Sequence, residues 1–152
     1  MEYTFRKAVK QDSERINQLF IEMMQTIRKT DQVNRYPDGY LDKFFDGRDE
    51  WISVAVYNGE IVAFLSIEVH HEEKEYIYLD DLSVTKQHRN NGIGTKLIRN
   101  AEEYAKEINI PAICFHVEKT NTNAFRLYQR LGYEIYRDQE TRYLMIKHLE
   151  KK

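Results

Sequence analysis

Apolar and polar residues alternate over positions 3–9, the pattern of a half-buried strand, and then change period. From Asp12 onward Ile16, Leu19, Phe20, Met23, Met24 and Ile27 recur at three- and four-residue steps, which places them on one helical face and makes Asp12 the expected N-cap. Pro37-Asp38-Gly39 marks a turn, and Tyr40, Leu41, Phe44 and Phe45 suit a short second helix. Strand patterns over 51–57 and 60–69 flank Asn58-Gly59, the two-residue turn that best matches the twist of a hairpin. A strand over 76–84 leads into a helix carrying Ile93, Leu97, Ile98, Ala101, Tyr104, Ala105 and Ile108, with Leu97, Ala101 and Tyr104 expected to face a sheet. Pro111 introduces 112–117, a continuous apolar run typical of a buried parallel strand. Ala124, Leu127, Tyr128 and Leu131 share a helical face that Gly132 ends, and strands over 133–136 and 142–148 close the chain. The predicted order is β-α-α-β-β-β-α-β-α-β-β, an α/β fold on a mixed sheet.

The chain has 152 residues, which suits a single domain over 1–152 that buries about two thirds of its unfolded surface. No repeat, low-complexity segment or Pro/Gly/Ser linker interrupts it. With 32% charged and 41% apolar residues it has a globular balance, and no apolar run approaches the roughly 20 residues that span a bilayer. The first residues lack a basic region followed by an apolar block, so a cytoplasmic location without membrane association is expected. The single cysteine, Cys114, agrees with a reducing compartment and lies in an apolar strand pattern that suggests inert core. A formal net charge of −2 gives no general attraction to nucleic acid.

Chemistry enters at His88-Arg89-Asn90-Asn91-Gly92-Ile93-Gly94-Thr95, where two glycines stand between the strand pattern and the long helix. Glycine lets the backbone turn tightly and bring several N–H groups close to an anion, and the helix N-terminus adds the positive end of its dipole. A plain strand-to-helix turn is the competing reading. The spacing lacks the third glycine of a dinucleotide fingerprint and the Gly-Lys-Ser/Thr ending of a nucleoside triphosphate loop. Arg89-Asn90-Asn91-Gly92-Ile93-Gly94 resembles motif A of the GNAT superfamily of N-acetyltransferases, Arg/Gln-x-x-Gly-x-Gly/Ala, which holds the pyrophosphate of acetyl-CoA. A second stretch, Asn121-Thr122-Asn123-Ala124-Phe125-Arg126-Leu127-Tyr128 followed by Leu131-Gly132-Tyr133, is similar to the family's Asn-x-x-Ala-x-x-Leu-Tyr…Gly-Phe/Tyr. Lys86 stands where a proline is common, and Asn90-Asn91 replaces the usual small and basic pair; asparagine tolerates left-handed backbone.

The resemblance implies a mostly antiparallel mixed sheet of about seven strands flanked by about four helices, and acetyl transfer from acetyl-CoA to a primary amine by direct attack in a ternary complex. It implies that Arg89, Asn90, Asn91, Gly92, Ile93, Gly94 and Thr95 cradle the pyrophosphate. The backbones of Leu82, Ser83 and Val84 would pair with the pantetheine arm where the family's strand is interrupted, polarising the acetyl carbonyl as an oxyanion site does. Asn121 would cap its helix and hydrogen-bond the same arm. Tyr128 would lie beside the sulfur as general acid, although periodicity alone reads it as packing.

Removing the proton of an amine with a pKa near 10.4 costs about 4.6 kcal/mol at pH 7, whereas protonating a thiolate of pKa near 8.5 is worth about 2 kcal/mol, so the base has the larger task. Asp80 and Asp81 point to opposite faces of their strand, and Asp80, where some relatives carry glutamate, is the preferred base, with Glu68 and Glu75 as rivals. His70-His71 reads as an exposed turn, and no metal is expected. On the acceptor side, Tyr36, Asp38, Tyr40, Asp42, Phe44, Phe45, Asp46, Asp49, Glu50 and Trp51 mix aromatics with acids. That mixture suits a small cationic amine, or is simply amphipathic. A protein N-terminus as acceptor, or a non-catalytic acyl-CoA-binding module, are the alternatives. Relatives that dimerise through their later strands suggest a homodimer.

Overall fold

The structure, a computed structural model, describes residues 2–150. Its strands are β1 (Thr4–Lys7), β2 (Trp51–Tyr57), β3 (Glu60–His71), β4 (Glu75–Val84), β5 (Ala112–Glu118), β6 (Glu134–Asp138) and β7 (Arg142–His148); its α-helices are α1 (Ser13–Arg28), α2 (Ile93–Glu107) and α3 (Thr122–Arg130). Hydrogen-bonded strands run in the order β1-β2-β3-β4-β5-β7-β6, and of the registered pairings only β4–β5 is parallel. Asn58 and Gly59 take φ of 50° and 77°, the left-handed pair a tight hairpin needs, and Tyr57 faces Glu60 across the turn.

Three local expectations need correction. The short second helix is a 3-10 helix over Tyr40–Phe44, so three α-helices are present among the described residues rather than about four. Asp12 precedes α1, but its side chain makes no cap bond there; Oδ2 accepts from Val9 N at 2.8 Å, and both oxygens accept from Arg6, so the carboxylate serves the 3-10 turn Lys10–Asp12 instead. Ile16 and Leu19 are buried as the helical face requires, but Ile27 near the end of α1 is exposed.

The chain divides into two compact units, Met1–Glu68 with Asp81–Asn100, and Val69–Asp80 with Ala101–Lys152. In the first, Ile16, Leu19, Tyr36, Leu41, Phe44, Ile52, Val54 and Phe64 form a core that collects the apolar face of α1, the 3-10 helix and one face of β2 and β3. The irregular segment after α1 is tied into it by Asn17, a buried polar residue: Tyr36 N donates to its Oδ1 at 3.0 Å, and its Nδ2 donates to Ser13 O at 3.1 Å. In the second unit, Ile77, Ile113, Phe115, Ala101, Ala105, Tyr133 and Met145 are buried. There Tyr133 Oη donates to the buried Glu102 at 2.9 Å, while Lys147 Nζ donates to Glu102 at 3.2 Å and to Leu131 O at 2.8 Å. Among the described residues no helix is long and apolar enough to cross a membrane.

Candidate functional site

The glycine run adopts the backbone its sequence demands. Asn90 (φ 64°) and Gly92 (φ 77°) are left-handed, so the asparagine substitution is accommodated. The first i→i−4 bond of α2 runs from Lys96 N to Gly92 O at 3.0 Å, which leaves the N–H groups of Ile93, Gly94 and Thr95 ahead of it, at the positive end of the helix. Ile93 is 3% exposed and contributes through its backbone. Asn91 braces the loop, its Nδ2 donating to His88 O and Arg89 O, each at 3.2 Å. Arg89 Nε donates to Val84 O at 3.0 Å and Nη2 to Glu22 at 3.5 Å, so the guanidinium joins the end of β4 to α1 at the entry to the loop. Backbone N–H groups ahead of the first helical bond, at the positive end of α2, are the kind of donors a pyrophosphate takes.

The strand end before the loop is fixed from α1. Ser83 is buried and its Oγ donates to Leu19 O at 3.1 Å, so its side chain anchors where only its backbone was expected to matter. Leu82 Cδ2 stands 3.7 Å from where a Cβ on Gly94 would lie, an ordinary contact. β4 is continuous to Val84; what stops early is its ladder to β5, which registers only Ile77↔Ile113 and Tyr78↔Cys114. Asp81 accepts from Tyr36 Oη at 2.6 Å, which commits it to the first unit's core.

The aromatic and acidic acceptor region is in part satisfied by the chain itself. Tyr36 is stacked between Phe20 and Tyr40 at 3.9 and 4.8 Å, and Lys43 lies over Tyr40 and Phe44 while its Nζ donates to Glu68 at 3.2 Å. Lys7 lies over Trp51, and Arg48 pairs with Asp46. The other rival base, Glu75, is exposed and pairs with His71 at 2.7 Å, and His70 stacks on Tyr76.

In the second unit, Asn121 caps α3, accepting from Ala124 N at 3.3 Å. Tyr128 packs edge-on against Phe115 at 4.6 Å, and burial raises its phenol above the usual range, which keeps the O–H protonated at neutral pH. Register places Tyr78 beside Cys114, so alternation puts Tyr78, Asp80, Cys114 and His116 on one face of β4 and β5. There Tyr78 Oη and His116 Nδ1 lie 2.6 Å apart. The imidazole is held below its ordinary pKa, first by burial and then by the charge of Arg142, against smaller upward pulls from a hydrogen bond to Gln139 and, weaker still, from Glu118 and Asp80. His116 is therefore neutral at pH 7 and able to accept a proton. This pair was not anticipated; the signal was a histidine interrupting the apolar run 112–117, but its partner on another strand is not a sequence neighbour. Burial pushes the Cys114 thiol up to about 11, consistent with inert core.

A family model described as the acetyltransferase (GNAT) family matches residues 17–133. The chain is 33% identical over 106 residues to the N-terminal acetyltransferase A complex catalytic subunit NAA10 of Arabidopsis thaliana, covering 63% of this chain and 55% of that one. It is 31% identical over 133 residues to an uncharacterized N-acetyltransferase of Archaeoglobus fulgidus, covering 81% and 87%. The chain spans about half the length of several curated relatives that it matches. Among solved structures, Arabidopsis thaliana NAA60 in complex with a bisubstrate analogue superposes with a TM-score of 0.80 at 20% identity, covering 99% of this chain and 100% of that one.

Proposed function

The chain belongs to the GNAT acetyltransferase family, and from that premise we propose that it transfers the acetyl group of acetyl-CoA to the α-amine of a peptide or protein N-terminus. The observation that carries the choice of acceptor is the Tyr78–His116 pair, with its imidazole held below the ordinary value of 6.5. An α-amine with a pKa of about 8 loses its proton at pH 7 for roughly 1.4 kcal/mol, against about 4.6 kcal/mol for an alkyl amine of pKa 10.4. A depressed histidine is a base suited to the first task and badly matched to the second. The name of the NAA10 relative, an N-terminal acetyltransferase A complex catalytic subunit, agrees with an N-terminal acceptor. The small cationic amine expected from the aromatic and acidic segment is less supported, since Lys43 already occupies the faces of Tyr40 and Phe44.

Acetyl-CoA supplies an acetyl thioester. The backbone N–H groups of the 89–95 loop hold its pyrophosphate, the backbones of Leu82, Ser83 and Val84 bind its pantetheine arm, and Asn121 adds a polar contact. His116 takes the proton of the incoming amine, held in one orientation by Tyr78. Asp80, on the same strand face as His116, is the alternative base. Tyr128 holds a proton at Oη for the departing sulfur. The later strands, with Ile135 and Tyr136 of β6 exposed, are the surface through which a homodimer would form.

Thiol release from acetyl-CoA tests this across peptides with free N-termini, the same peptides N-terminally formylated, and polyamines, aminoglycosides and free lysine. Release with the free peptides alone is expected. Release confined to polyamines or aminoglycosides would overturn the acceptor assignment, and CoA binding without release from any amine would favour the non-catalytic alternative.

A further inference from the structure

Glu22 lies on α1, outside both family motifs and between residues read as helical core. Its carboxylate gathers three donors from the segment that opens the phosphate loop: Thr85 Oγ1 at 2.8 Å, Lys86 N at 3.2 Å and Arg89 Nη2 at 3.5 Å. Thr85 is the N-cap of the 3-10 turn Lys86–His88 and makes no side-chain cap bond; its hydroxyl and the first N–H of the turn, Lys86 N, donate instead to Glu22 on another element. Arg89 in turn donates to Val84 O, which joins the end of β4, the turn and the first motif residue through one side chain of α1. A loop that must present two left-handed residues, Asn90 and Gly92, gains affinity from being ordered beforehand, because less freedom is then lost on binding.

We propose that Glu22 is the positioning residue of the phosphate loop, holding residues 85–89 from outside so that the 90–95 backbone is set for a pyrophosphate before the ligand arrives. The inference rests on reading 89–95 as the pyrophosphate cradle. A carboxylate close to an anion site would ordinarily oppose binding; here Arg89 neutralises it and solvent screens the remainder, both side chains being partly exposed. Arg89 belongs to the brace and reaches the ligand site through the backbone it steadies.

The test compares CoA, which carries the pyrophosphate, with pantetheine, which lacks it, by calorimetry and NMR titration respectively. Glu22→Gln keeps the volume but removes the charge and one acceptor oxygen, and is expected to weaken CoA binding by about fivefold to tenfold while leaving pantetheine within twofold. Thr85→Val removes one donor alone. It should weaken CoA less, add little in the Glu22→Gln background, and serve as the test if Glu22→Gln does not fold. Equal weakening of both ligands would make Glu22 a merely structural residue, and unchanged or tighter CoA binding would make it a bystander or a competing anion; each overturns the proposal. A wild-type protein with no preference for CoA over pantetheine would instead overturn the cradle reading beneath it.

Discussion

The two glycines of the loop make opposite predictions on alanine substitution. Gly92 has φ 77° and no atom within 4 Å of an added Cβ, so the penalty of Gly92→Ala is backbone strain alone. Left-handed conformation costs a non-glycine residue about 1–2 kcal/mol, and the loss of unfolded-chain freedom returns about 0.4–1 kcal/mol, for a net loss near 1 kcal/mol. Where that loss is felt depends on whether the free loop keeps its shape. If it does, Tm falls by roughly 2–4 °C at this chain length; if it relaxes, the strain is met on binding and CoA affinity falls about fivefold. Gly94 lies inside α2 with an ordinary φ, and its new methyl would touch Leu82 at 3.7 Å, so Gly94→Ala should raise helix stability by about 0.5–1 kcal/mol and leave CoA affinity nearly unchanged. Differential scanning fluorimetry and calorimetric CoA titration read both terms. Gly92→Asn should recover most of the loss, since Asn90 already tolerates φ 64°. A Gly92→Ala protein unchanged in both Tm and affinity, or a Gly92→Asn protein as impaired as the alanine variant, would refute the reasoning.

Tyr128→Phe should lower kcat by about tenfold to a hundredfold while CoA affinity holds, because only a proton donor is removed from a site whose packing on Phe115 persists; equal loss in both would reduce Tyr128 to packing. The acidic limb of the kcat/KM profile should lie below pH 6.5, set by His116, and Arg142→Gln should move it to higher pH by removing a charge that opposes protonation. The same depressed pKa means that the stability contributed by neutral His116 is fully present above its unfolded value near 6.5 and is lost as pH falls through the folded one; denaturant titrations of His116→Gln should show that dependence flattened. Lys147→Met removes the cation paired with the buried Glu102 carboxylate, which is 7% exposed, and should destabilise the protein by about 3 kcal/mol in urea unfolding, whereas a change under about 1 kcal/mol would show that its remaining partners, Tyr133 Oη among them, satisfy it. Cys114, with its thiol at about 11, should react with a thiol reagent at pH 8 far more slowly in the folded than in the urea-unfolded protein.

Much of the site was legible because its chemistry is local. Asn90 and Gly92 take the backbone their residue types favour, Asn121 caps the helix it precedes, and Gly132 (φ 99°) ends that helix. The strand alternation that sent Asp80 and Asp81 to different faces also held, with Asp81 bound to Tyr36 and Asp80 on the face of His116. The capping rule failed where other nearby donors competed. Asp12 was expected to cap α1, but Arg6 and Val9 N claim its carboxylate. Arg89 also meets Glu22, 67 positions earlier in the chain, a contact no local rule gives.

Periodicity and turn chemistry by themselves determined the seven strands, the hairpin at Asn58-Gly59 and the glycine loop at the start of α2, because each depends on residues within a few positions of one another. Tertiary structure alone decided which side chains meet: Tyr78 with His116 38 positions later, and Glu22 with Thr85 63 positions later. A hydrogen bond requires its two atoms within about 3.5 Å, and for residues so far apart in the chain only strand register and helix packing can bring them that close.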